Sequence, residues 1–172
     1  MPHSLADLNS CDRGAFVAAL GHLFEHSPWV ADETFEKRPF KDRESLHGAL
    51  CATMASATAE RQLALVRAHP DLAGRLAKAG GLTRSSSREQ SAAGLDRLTA
   101  SEEEEIGRLN AAYAARFGFP FVICARLNAK DAILAAMRSR VRNTPEAELS
   151  TALGEIAKIA RLRLNEAIAK EN

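Results

Sequence analysis

Apolar residues recur along this chain at steps of three and four, the spacing that gathers them on one face of an α-helix. From Gly14 to Glu25, Phe16, Ala19, Leu20, Leu23 and Phe24 form such a face. The segment is expected to end at Ser27-Pro28, because proline pushes the residue before it out of the helical region. Asp42 stands where an N-cap belongs, ahead of the stripe Leu46, Leu50, Thr53, Met54 and Ala57. A third helix begins near Thr58 and carries Ala59, Gln62, Leu63 and Val66 towards His69-Pro70. A short helix over Asp71–Ala79 should close at Gly80-Gly81. Thr83 to Arg88 is polar and serine-rich and reads as a loop before the next helix, with Thr83 to Ser87 the candidate for a mobile segment. Ser101 to Glu104 has the form of a capping box for a helix through Ile106, Leu109, Tyr113 and Phe117, stopping at Gly118. Phe119-Pro120-Phe121-Val122-Ile123 is strand-like, but the internal proline makes it an extended buried segment. Asn128 is placed to cap a helix through Arg140, and Thr144-Pro145 opens the last and longest helix.

Composition supports this pattern. The 33 alanines, against one Trp and one Tyr, favour helix over strand. With 172 residues and no linker or repeat, the expectation is one all-α domain over 1–172, a helical bundle without significant β-sheet. Charge narrows the partners. Twenty-three Lys+Arg against 22 Asp+Glu leave +1, without the basic excess of a nucleic-acid binder. No run of about 20 apolar residues offers a membrane span. Cys11, Cys51 and Cys124 are odd in number and far apart, which excludes a CxxC pair and points to reduced thiols. Neither the stretch up to Asp12 nor the Lys170-Glu171-Asn172 end carries a targeting pattern, so a cytoplasmic location is expected.

Four constellations bear on chemistry. His22-Leu23-Phe24-Glu25-His26 fits the HxxEH zinc-peptidase pattern, although a histidine beside Ser27-Pro28 can equally cap the end of its helix. His69 lies seven residues after Gln62 and three after Val66, so it should point inward at a helix end, where an imidazolium is favoured. It can be a proton donor or a satisfied core histidine. Ser86-Ser87-Arg88-Glu89-Gln90 is by default a capping box; its other reading is a hydroxyl, a carboxylate and an amide arranged to grip a heterocyclic amide. Finally, at 100° per residue Arg163 falls within about 20° of Ile156 on the core stripe Leu149, Leu153, Ile156, Ala160, Ala167. A guanidinium there keeps its charge and must meet several acceptors or an anion, whether a carboxylate such as Glu89 or a bound substrate.

Taken together, Ser27-Pro28-Trp29-Val30, His69-Pro70-Asp71-Leu72, Ser86-x-x-Glu89-Gln90 and Arg116-Phe117-Gly118-Phe119-Pro120-Phe121 closely resemble the 2-oxo-4-hydroxy-4-carboxy-5-ureidoimidazoline (OHCU) decarboxylases. These enzymes complete the conversion of urate to (S)-allantoin, and the resemblance covers nearly the whole chain. It implies an all-helical homodimeric carboxy-lyase that uses neither cofactor nor metal. It implies His69 and Glu89 as catalytic residues and Ser86, Gln90 and Arg163 as substrate contacts. Pro70 would line the pocket, with backbone groups of Phe121, Val122 and Ile123 bonding the substrate ring.

Overall fold

The computed structural model describes residues 3–74 and 80–169. Among them are nine α-helices: α1 (Leu5–Ser10), α2 (Arg13–Leu20), α3 (Trp29–Thr34), α4 (Arg43–Ala55), α5 (Ala59–Arg67), α6 (Arg84–Ala92), α7 (Ala100–Phe117), α8 (Lys130–Arg140) and α9 (Pro145–Ala167). The described residues contain no sheet, only a bridge between His3 and Ile168. The chain is therefore all-α, as the periodicity predicts. No helix among the described residues is long and apolar enough to cross a membrane. Two compact units divide it: one holds the residues up to Ala68 and those from Ala157 onward, the other His69–Ile156.

In the first unit, α2 is shorter than its apolar pattern. It gives way at Gly21 to a 3-10 turn, Phe24 is extended, and His26 takes a left-handed φ of 47°. Leu23 and Phe24 are nonetheless buried, so the periodicity marked the core rather than the helix end. Asp42 caps α4 in a reciprocal box with Ser45, and Leu46, Leu50, Thr53 and Met54 are buried as expected. Thr58 caps α5, but its inward face is Leu65 and Val66, with Ala59 exposed. The end of α9 is fastened within this unit: His47 Nε2 donates to the Ala157 carbonyl (2.9 Å) and Arg43 Nη2 to that of Ala169 (2.7 Å).

In the second unit three caps differ from expectation. Residues 83–88 are not a loop: Thr83 Oγ1 accepts from Ser86 N (3.3 Å) and starts α6, which draws all three serines into the helix. The box before α7 is Thr99 with Glu102 rather than Ser101 with Glu104, and α7 ends at Gly118 with φ 72°. Ala129, not Asn128, precedes α8; the Asn128 amide instead donates to the Cys124 carbonyl (3.0 Å). The short helix expected over Asp71–Ala79 lies, from residue 75, outside the described residues. The extended run 119–123 folds its aromatics onto α7: Phe119 and Phe121 meet Tyr113 edge-on at 5.9 and 5.5 Å. Along α9 the buried line is Glu148, Ala152, Ile156, Ile159, Ala160, Arg163 and Leu164, with Leu149, Leu153 and Ala167 half-buried at its side.

Candidate functional site

An ordinary surface helix buries an apolar stripe. Helix α6 does the opposite: its buried positions are Ser86, Glu89 and Gln90, one turn apart on one face. Because Thr83 supplies the cap, Ser86 and Glu89 are released from the capping-box role that spacing alone gave them. Burying a carboxylate, a hydroxyl and an amide together costs free energy unless each finds partners, so such a face is built around polar contacts rather than apolar packing.

Two side chains hold the turn that follows His69-Pro70. Gln90 Oε1 accepts from Ala73 N (2.8 Å), and Asn110 Nδ2, from α7, donates to the Leu72 carbonyl (2.9 Å). Ala73 needs this support, since its φ of 48° is a left-handed conformation unusual for a residue with a Cβ. His69 itself is buried and Pro70 half-buried. A cavity of about 360 Å³ adjoins the same turn, lined by Ala73 and Gln90 together with Leu82, Ser87, Asp96 and Glu103 among others.

Helix α6 also packs against the 3-10 turn Ala125–Leu127, which continues directly from the extended run. Phe121, Val122 and Ile123 are buried, yet their backbone N–H groups donate to no described residue. Extended backbone of this kind keeps N–H groups that no helix consumes. The second unit thus contains His69, Pro70, Ser86, Glu89, Gln90 and the 121–123 backbone.

Arg163 belongs to the first unit and is buried as its periodicity required, at 4% exposure. Its Nη1 donates to Glu25 Oε2 (3.0 Å) and to the Leu23 carbonyl (3.4 Å). The carboxylate facing it is therefore Glu25, a residue that the sequence reading considered only as part of a zinc motif. That motif is not formed: the backbone leaves the α-helix at Gly21, so His22 and His26 do not stand one turn apart on a helical face. Partial burial, and then the Arg163 charge, push the His22 imidazole below its usual pKa.

Periodicity could have revealed one further residue. Glu148 precedes Ile159 by eleven positions, about 20° from it around the helix, and is 0% exposed. Tyr113 Oη, Arg140 and Asn143 Nδ2 all donate to it. Burial and this bond drive the Tyr113 hydroxyl pKa strongly upward. No local signal distinguishes Glu25 or Asn110, whose partners are remote in sequence.

A family model described as OHCU decarboxylase matches residues 9–165. A 2-oxo-4-hydroxy-4-carboxy-5-ureidoimidazoline decarboxylase of Haloferax volcanii is 43% identical over 168 residues, covering 98% of this chain and 98% of that protein. The Mus musculus protein of the same name is 41% identical over 162 residues, covering 94% of this chain and 91% of its own. Among solved structures, an (S)-allantoin synthase superposes with a TM-score of 0.81 at 30% identity; the match covers 99% of this chain and 56% of that one.

Proposed function

This chain belongs to the OHCU decarboxylase family, and from that membership and the polar buried face of α6 we infer how it works. The reaction is decarboxylation of 2-oxo-4-hydroxy-4-carboxy-5-ureidoimidazoline to allantoin in urate breakdown, a carboxy-lyase activity. The leaving carboxylate sits on a carbon that bears a hydroxyl and adjoins a ring imine. When the C–C bond breaks, its electron pair forms a C=C bond to the imine carbon, the C=N π pair moves onto the ring nitrogen, and that nitrogen takes up a proton. The hydroxyl then loses its proton as the carbonyl forms. The former imine carbon gains one and becomes the stereocentre, with one proton consumed overall.

The ring is its own electron sink, so the protein needs to orient the substrate and deliver a proton to one face. His69 transfers that proton, because an imidazole exchanges protons readily near neutral pH. Glu89 orients His69 or holds the ureido N–H groups. Ser86 and Gln90 contact the heterocycle and Pro70 lines its pocket. Phe121, Val122 and Ile123 bond the ring through their backbone. Arg163 is assigned the substrate's negative charge on the family resemblance alone. The proposal includes a homodimer in the cytoplasm and no bound cofactor.

The observation that carries the site is α6, whose buried face is a hydroxyl, a carboxylate and an amide. The test is to make the substrate in situ from urate with urate oxidase and hydroxyisourate hydrolase, following chiral allantoin by circular dichroism. Fast, protein-dependent (S)-allantoin is expected. Racemic product formed no faster than without the chain would overturn the reading and leave a non-catalytic binding module. His69→Asn should keep the fold and lose at least about a hundredfold in rate, the lower end of what general acid–base catalysis supplies; a folded variant of near-full activity removes His69 from its role.

A further inference from the structure

Resting on the proposed role of the 121–123 backbone, we infer that Arg140, seated on the buried carboxylate of Glu148, is the positioning residue that holds this backbone ready for the substrate ring. Glu148 is fully buried and accepts from Arg140 Nε (2.8 Å), Arg140 Nη2 (2.6 Å), Asn143 Nδ2 (2.9 Å) and the Tyr113 hydroxyl. A buried charge pair is not in itself strong evidence of stabilisation, because desolvation offsets much of the attraction. What this pair achieves is direction. A guanidinium is a rigid planar fork, so engaging Nε and Nη2 on one carboxylate fixes where Nη1 points.

Nη1 points at the extended run, donating to the Val122 carbonyl (2.9 Å). The guanidinium also lies over the Phe121 ring, 4.3 Å from its centroid. Two residues further on, Cys124 N donates to Glu155 Oε2 (2.8 Å). The run is thus pinned at Val122 and Cys124, while the N–H groups of Phe121, Val122 and Ile123 stay available to a ligand. Extended chain without a strand partner is otherwise free to change its dihedral angles, and fixing it beforehand lowers the ordering cost of binding. A lysine ammonium cannot span Glu148 and Val122 in the same planar geometry.

Arg140→Met alone strands a buried carboxylate and risks unfolding the protein. The informative variants are therefore Arg140→Met combined with Glu148→Gln, which removes both charges, and Arg140→Lys, which keeps the charge without the fork. Three readings are needed: a thermal melt, kcat and KM in the coupled assay, and amide hydrogen exchange over 121–124. For the double variant the expected result is a cooperative melt, KM raised about tenfold with kcat much less affected, the signature of lost binding rather than lost chemistry. Exchange at 121–124 should quicken while that of α7 does not, and Arg140→Lys should fall between. A cooperatively melting double variant with wild-type KM and wild-type exchange overturns the inference. Exchange needs no substrate, so the two readings can fail separately: accelerated exchange in the variant of a chain that leaves OHCU untouched would sink the decarboxylase reading and keep the anchor.

Discussion

Removing the carboxylate of Glu25 takes away a charge that faces the buried Arg163 guanidinium, the kind of single change that costs about 3–5 kcal/mol. Glu25→Ala is accordingly expected to lower stability in urea denaturation by roughly that amount. Adding Arg163→Met to it should recover much of the loss, because both charges are then gone; a double variant as unstable as the single one would show that the pair is not the cause. The neighbouring His22 makes a separate prediction. Its folded pKa lies below the ordinary 6.5 through partial burial and the Arg163 charge, so the unfolded chain takes up the proton first. The His22 contribution is thus complete above about pH 6.5 and lost as pH falls through the folded value. Unfolding titrations between pH 7.5 and 5 should show that decline in the parent and a shallower one in His22→Gln. Equal slopes would contradict it.

For helix α6, capping and chemistry fall on different residues. Thr83 is the N-cap, so Thr83→Ala should cost about 1 kcal/mol with a modest effect on turnover. Ser86 lies inside the helix on its buried face, so Ser86→Ala should spare the cap and raise KM. Paired measurements of unfolding free energy and KM decide between them: a Ser86→Ala variant that loses stability as Thr83→Ala does, with KM unchanged, would restore the capping role to Ser86. The serine-rich stretch looked like a loop because serine and threonine compete for backbone bonds and are poor mid-helix residues. A cap three positions earlier overrides that weak preference. Similar logic explains the shift from Ser101 to Thr99 ahead of α7, where two hydroxyl–glutamate pairs of the right spacing overlap and only backbone geometry selects one.

At the level of the whole molecule, the proposed homodimer predicts light-scattering masses of two 18.6 kDa chains at assay concentrations. A monomer retaining full activity would remove the dimer from the proposal without touching the chemistry. Charge agrees with a small anionic substrate handled by local groups rather than by a long-range field: at a net +1 the chain as a whole attracts little. Catalytic rates should therefore depend only weakly on salt, and a steep fall between low and physiological ionic strength would point to steering instead.

What the sequence determined by itself was short-range. The helical class, the cap at Asp42, the helix start near Thr58, the stop at Gly118 and the inward direction of His69 and Arg163 follow from forces acting within a turn or two of one chain segment. The resemblance of its motifs also identified the family, because their order and spacing are properties of the chain alone. Tertiary structure decided what would face the buried polar side chains. Glu25 meets Arg163 across 138 residues of sequence, Asn110 holds Leu72 across 38, and Glu148 becomes the seat of Arg140 rather than a surface acid at a helix start. A buried charge is tolerable only beside its partner. Since folding selects that partner from distant parts of the chain, no local pattern of residues could name it.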